Sequence, residues 1–222
     1  MEIKTLINKA KRYFTIKKRI RKLKVKSFPS IISNNCCGGV IYHDLGQRFT
    51  SPTINLYFNH TDFLSYATHL EEYSKDFDLI EDLSATEKFP VGILKKIGLP
   101  DVKIFFMHYP DFTTAKAKWV ERTKRIDFDN VLVLFDSLNF ELNIEHVKTF
   151  NSIACKKVVF KQVDTMDVDK SFVFDKFVPD YKKGETLLTY LKANKFYQWR
   201  YLDYFDYAEF INSGKIASRN IK

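Results

Sequence analysis

Ile31-Ile32-Ser33-Asn34-Asn35-Cys36-Cys37-Gly38-Gly39-Val40-Ile41-Tyr42-His43-Asp44-Leu45-Gly46 reads as a strand, a turn and a helix in succession. The β-branched pair Ile31-Ile32 follows the punctuation Phe28-Pro29-Ser30 and has the length of a short buried strand. The Cys37-Gly38-Gly39 turn then hands the chain to a short helix through Val40–Leu45, with Gly46 placed to end it. A strand delivered into a helix by a glycine turn is the repeating unit of an α/β sheet. It also leaves polar groups at the strand's carboxyl end, where such sheets gather ligands.

Outward from this unit the same alternation recurs. Thr53–Phe58 reads as a second strand, and Thr61-Asp62 as the cap of a helix running to about Lys75. Val102–Met107 is the clearest strand, and a helix from Thr113 to Arg125 follows Pro110. Val131–Phe135 and Val158–Phe160 are two more strand-length apolar runs, with a helical segment from Asn143 to Phe150 between them. Phe172–Phe174 adds an edge strand. From Glu185 to Ile211 the chain reads as helical and crowded with aromatics, among them Phe196, Tyr197, Trp199, Tyr204 and Phe210. Such crowding closes a core more often than it builds a stacking platform for sugars. The expected fold is α/β: three layers, a mostly parallel or mixed sheet with helices on both faces, and a basic N-terminal helical arm. Residues 1–27 form the arm and 28–222 a single domain.

Charge separates the two parts. The net charge is +9, yet residues 1–26 alone hold eleven Lys and Arg against one acid, Glu2, so the remainder sums to −1. A nucleic-acid-binding domain would more often spread basic charge over its folded face, so nucleic acid is not the expected partner. Ile3, Ile7, Ala10 and Phe14 recur at helical spacing with Lys and Arg opposite. This pattern suits the anionic inner face of a membrane; the plainer alternative is a solvated helix whose stripe packs on the domain. No run approaches the roughly 18 apolar residues of a membrane span. The N-terminus does not read as a signal peptide, so a cytoplasmic location, peripheral on the inner membrane face, is expected. Cys36, Cys37 and Cys155 make no disulfide framework, and no closely spaced His/Cys cluster suggests zinc, so no metal site is expected.

Three strand ends carry candidate chemistry. At the first, Asn34, Asn35 and the backbone of Gly38 and Gly39 can donate to an anion at a helix N-terminus. The pattern is neither a P-loop nor GxGxxG, and a tight turn with Asn as cap is the alternative. Cys36 is a candidate nucleophile if that helix end lowers its pKa. At the second, His108 follows the clearest strand and can serve as a general base. At the third, Asp136 can bind a hydroxyl, act as a base, or cap a helix. Arg122 and Arg125 share a helix face at i, i+3 and can clamp a phosphate, a solvated face being the alternative.

These segments together resemble a bacterial family of unassigned function encoded in exopolysaccharide and capsule biosynthesis loci. The likeness covers roughly residues 28–175. Its matching stretches are Ile31–Tyr42, Leu45-Gly46, Ser51-Pro52-Thr53-Ile54-Asn55-Leu56, Phe89-Pro90-Val91-Gly92-Ile93-Leu94, Phe106-Met107-His108-Tyr109 and Ala115–Trp119 leading to Arg122 and Arg125-Ile126. Cys37 stands where the family often has a bulky aromatic. The resemblance implies an α/β fold and a polysaccharide pathway; Ser51, Thr53 and Tyr109, within its matching stretches, are further candidate substrate-binding residues. With that pathway, the expectation is a transferase acting on a glycan or lipid-linked glycan with a phosphate-bearing donor, a sugar nucleotide by preference. In that scheme Asn35 and the glycine turn hold the donor phosphate, Arg122 and Arg125 neutralise the leaving group, and His108 or Asp136 activates a sugar hydroxyl. The alternative is a non-catalytic assembly or ligand-sensing factor of the same pathway.

Overall fold

A computed structural model describes residues 3–163, 166–191 and 199–219. Four parallel strands form the main sheet: β1 (Ser30–Ser33), β5 (Val131–Asp136), β6 (Lys156–Gln162) and β7 (Ser171–Phe174), in that order. The alternation of side chains along them feeds two cores. Ile32, Val133, Phe135 and Val159 face one way, against α3 (His60–Thr68), α5 (Phe112–Thr123) and α6 (Ile144–Ser152). Ile31, Leu132, Leu134, Val158 and Phe160 face the other, against α2 (Cys37–Asp44) and α7 (Tyr207–Ser213). All six residues of β5 are buried, as expected of a parallel strand covered on both faces. The three-layer α/β reading holds.

A second sheet is antiparallel and separate: β2 (Asp78–Glu81), β3 (Val91–Lys95) and β4 (Val102–Phe105). β4 therefore belongs to a small meander, not to the parallel sheet that its apolar run suggested. Thr53–Phe58 is no strand; Asn55 takes a left-handed φ of 61°, which breaks extension. Only Tyr57 pairs, exchanging 2.9 Å backbone bonds with Phe105, while the Phe58 N–H donates to the Asn34 carbonyl at 2.9 Å. That stitch ties the meander to the end of β1.

Helix boundaries follow local chemistry. Asn59, one residue before α3, caps it by accepting from the Asp62 N–H at 2.8 Å, so the cap lies before Thr61. The helix breaks at His69, and α4 (Leu70–Tyr73) is a separate turn. At the far end of α6 the Lys157 ammonium donates to the carbonyls of Phe150, Asn151 and Ile153 at 2.6–2.9 Å, satisfying orphan acceptors in a largely apolar surround. The C-terminal segment departs most from expectation. Among its described residues it holds only a 3₁₀ turn at Tyr201–Tyr204 and α7, because Phe205 is extended and sinks among Phe160, Phe172 and Phe210. The aromatics close a core. Phe196 and Tyr197 lie outside the described residues.

The arm is helical, α1 (Ile3–Lys22), and α1 packs along α7. Its described part runs against the alternative in which the apolar stripe packs on the domain. Arg12 and Arg19 are 8% and 0% exposed, whereas Phe14 is 68% exposed. The side chains of Ile3 and Ile7 lie outside the described set. Arg12 donates to both Asp44 and Asp203, and Arg19 donates to Asp203 at 2.6 Å and to the Tyr207 hydroxyl. Arg200 reaches Asp44 at 3.1 Å. Burial alone would raise the Asp203 carboxyl; Arg19 and Arg12 overcome it and hold the group below its usual 3.8.

Removing one partner of such a cluster strands buried charge. Asp203→Ala is expected to cost about 3–5 kcal/mol in urea denaturation at pH 7. Because the folded carboxyl is the stronger acid, its contribution is intact above pH 3.8 and drains away only below it. The Asp203→Ala chain should accordingly converge on the parent there.

Candidate functional site

At the carboxyl edge of the parallel sheet, Asn34 follows the last residue of β1 and Asp136 ends β5, and the two are fastened reciprocally. The Asp136 N–H donates to Asn34 Oδ1 at 2.9 Å, and Asn34 Nδ2 donates to the Asp136 carbonyl at 2.9 Å. Asn34 thus continues the β1–β5 ladder with a side chain after its backbone has turned away. Asp136 is held with its carboxylate beneath an open cavity of about 480 Å³. The N-terminus of α3 supplies Asn59 and His60, the turn after β4 supplies Met107 and His108, and the chain beyond β7 supplies Tyr181 and Thr186–Leu188.

The carboxylate accepts from three groups. Asn35 Nδ2 reaches Oδ2 at 2.8 Å, the Tyr181 hydroxyl reaches Oδ2 at 3.0 Å, and the Leu138 N–H reaches Oδ1 at 3.1 Å. Oδ2 is therefore saturated, whereas Oδ1 keeps one lone pair. Complete burial pushes the Asp136 pKa from 3.8 up to about 6, against the pull of these donors. The group is poised between acid and base near neutrality.

His60 was not singled out in the sequence. Its Nε2 lies 3.2 Å from the Asp136 carbonyl, which can only accept, so Nε2 carries the proton and Nδ1 is left as an acceptor. Its ring stacks on Phe140 with centroids 4.0 Å apart. Burial drives its pKa down to about 4, and the imidazole is neutral at physiological pH. A lone His after Asn59 reads as a helix-start residue, and only the fold brings it to Asp136.

Of the residues expected from the sequence, Asn34, Asn35, Cys36, His108 and Asp136 converge on this cavity. His108 stands exposed at its mouth. It arrives from the antiparallel meander, so the carboxyl-end rule for parallel sheets does not account for its position. Cys36 runs contrary to the nucleophile expectation: burial lifts its thiol to about 11, and Sγ faces the Leu56 carbonyl at 3.8 Å. The glycine turn is also put to another use. The Cys37 N–H is taken by Asn35 Oδ1 at 3.0 Å and the Gly38 N–H by Ser33 Oγ at 3.1 Å. A Cβ on Gly38 would meet that Oγ at 2.7 Å, so Gly38 serves close packing of α2 on β1. Gly39 is buried against Ile54 and does not line the cavity.

Ser51 and Thr53 are buried beneath the sheet edge, where Thr53 Oγ1 accepts the Ser33 N–H at 3.1 Å. Tyr109 donates to the Ile54 carbonyl at 2.9 Å and accepts from Arg122 at 2.7 Å. Arg125 is engaged by Glu121 and the Phe49 carbonyl. None of these five lines the cavity, and the two arginines brace loops through intramolecular bonds. No Lys or Arg lines it among the described residues. Nor, among those residues, does any group of three or more His, Cys, Asp or Glu suit a metal ion. No described helix is long and apolar enough to cross a membrane.

The chain belongs to the family described as Domain of unknown function (DUF1919), which matches residues 6–212. It is 32% identical over 218 residues to an "Uncharacterized protein" of Haemophilus influenzae, covering 95% of this chain and 97% of that one. Neither description carries an activity. The matched span takes in α1 as well as Asp203, so it includes both sides of the buried ion cluster.

The raised Asp136 pKa has a measurable cost. A group that holds its proton more tightly when folded stabilises the fold at low pH and ceases to as pH rises through about 6. At pH 7.5 the burden is about 3 kcal/mol at full ionisation. Asp136→Asn is therefore expected to be at least as stable as the parent at pH 7.5. The parent should gain on the variant as pH is lowered toward 4, compared by urea denaturation.

Proposed function

We propose that this protein is a transferase acting on a sugar hydroxyl in a bacterial exopolysaccharide or capsule pathway, with Asp136 as the general base. The observation that carries the reading is one buried carboxylate of pKa about 6, with a lone pair to spare, beneath a cavity sized for a sugar. Its surroundings support an uncharged polyol over an anion. Asn34, Asn35, Asn59 and Asn139 offer amides, and Tyr57, Phe58 and Tyr181 offer aromatic rings. With no described cation in the lining, a phosphate placed against Asp136 would meet only repulsion. The donor we favour is a sugar nucleotide whose sugar enters the cavity while its diphosphate stays at the mouth, beside exposed His108.

The reaction then balances simply. The acceptor hydroxyl oxygen bonds to the donor's anomeric carbon, and its proton passes to Asp136 Oδ1. The bond from that carbon to the phosphate oxygen breaks, and the nucleotide diphosphate leaves with the electron pair. Tyr181 and Asn35 hold Oδ2, which leaves Oδ1 to take the proton. Neutral His60, fixed through the Asp136 carbonyl, presents an acceptor to a second hydroxyl of the sugar. The acceptor is a glycan or lipid-linked glycan, and the location is cytoplasmic.

Saturation-transfer NMR and thermal shift against a panel of nucleotide-linked hexoses should identify a donor, and turnover should rise with pH through about 6. Asp136→Asn should retain donor binding while turnover falls about 10²–10⁴-fold. Donor binding with no turnover in the parent chain would instead favour the ligand-sensing alternative. A panel in which no donor binds would end the transferase reading in this form.

A further inference from the structure

An amphipathic helix docked on a domain normally buries apolar side chains, yet from Ala10 onward α1 turns Arg12 and Arg19 inward and Tyr13, Phe14 and Ile20 outward. Two guanidiniums go inward, each losing hydration that Asp44 and Asp203 must offset. Turned outward are Tyr13, Phe14 and Ile20, which are 53%, 68% and 40% exposed. Tyr13, Lys17 and Ile20 follow one another at helical spacing, with Phe14, Lys18 and Arg21 beside them in a second row. The Lys17 ammonium sits 4.6 Å over the Tyr13 ring. Nothing from Ala10 to Lys26 is acidic, and among the described residues Asp44, Asp203 and Asp206 reach this helix from elsewhere and engage Arg12, Arg19 and Lys22.

The geometry points to α1 as an in-plane membrane-docking helix for anionic lipid, clamped to the domain by its buried arginines and presenting Tyr13, Phe14 and Ile20 to the acyl boundary. Aromatic and aliphatic side chains enter that boundary while Lys17, Lys18 and Arg21 lie level with the headgroups. Charge complementarity selects the occupant, because a purely apolar partner would gain nothing from the uninterrupted cations around the patch. The ion cluster gives the inversion its purpose. With the arginines taking the anchoring role, the apolar residues are left free for the lipid. This inference does not depend on the transferase reading.

The test uses the full chain and sedimentation with vesicles. Binding is expected to vesicles containing phosphatidylglycerol and to be lost on pure phosphatidylcholine or at high salt. Neutralising Lys17 and Lys18 together (Lys17→Gln, Lys18→Gln) should weaken partitioning about 25-fold, at about fivefold per cation. Phe14→Ser should weaken it without lowering thermal stability, since that side chain is exposed. Equal binding to both vesicle types, or none to either, would overturn the proposal. So would variants that bind as the parent does. A parent that dimerises in solution and is made monomeric by Phe14→Ser would assign the face to a second copy instead.

Discussion

The bidentate match between the Asn34 side chain and the Asp136 backbone is the constraint on which the site depends. Parallel strands stop exchanging backbone bonds where one of them turns, and β1 turns at Asn34 while β5 runs on to Asp136. A primary amide carries the donor and acceptor geometry of a peptide group, so Asn34 substitutes for the missing strand residue. Because both hydrogen bonds fall on the backbone of Asp136, its carboxylate is left to other partners. The remaining edge of the same carbonyl receives His60. One side chain therefore closes the sheet, positions the carboxylate and indirectly registers α3, and the cost of burying polar groups is met by complete pairing.

Much of this was legible in the sequence wherever a local pattern is sufficient. Ile31-Ile32 and Val131–Phe135 are buried on both faces and read as continuous apolar runs, so the parallel sheet was evident. The convergence of Asn34, Asn35 and Asp136 followed from their places at the ends of parallel strands, whereas His108 arrives from the separate meander. Thr53–Phe58 misled because alternation says nothing of a left-handed residue such as Asn55. β2 and β3 were passed over because Asp78–Glu81 and Val91–Lys95 are short, and one carries a glycine. His60 and Tyr181 reach Asp136 from 76 and 45 residues away, and no local period encodes such a meeting. The glycine turn shows the converse error. Two glycines after a strand suggest an anion cradle, but the side chains of Asn35 and Ser33 take the N–H groups of Cys37 and Gly38.

The arm illustrates how a hydropathy scale can misplace a single residue type. Arginine is assigned to water by any such scale, yet a planar guanidinium with two buried carboxylates and a tyrosine ring beneath it can be an interior residue. The Arg19 guanidinium carbon lies 4.5 Å from the Tyr207 ring centre, so stacking and charge act together. What marks the inward face is the i, i+7 spacing of Arg12 and Arg19, which a sequence reader sees only among nine other basic residues.

That cluster also fixes an order of events. Arg12 and Asp203 are 191 positions apart, and Asp206 and Asn212, which hold Lys22 and the residues after it, come later still. During synthesis Asp44 follows the first helix closely, but Asp203 is made far later, and until then two arginines would have to share one carboxylate in the core. The parallel sheet can assemble meanwhile, since β1 through β7 lie between these ends. Closure waits for the C-terminal segment, whose aromatics and carboxylates arrive together. The segment that carries Asp203 thus converts α1 from a solvated, highly charged helix into part of the core.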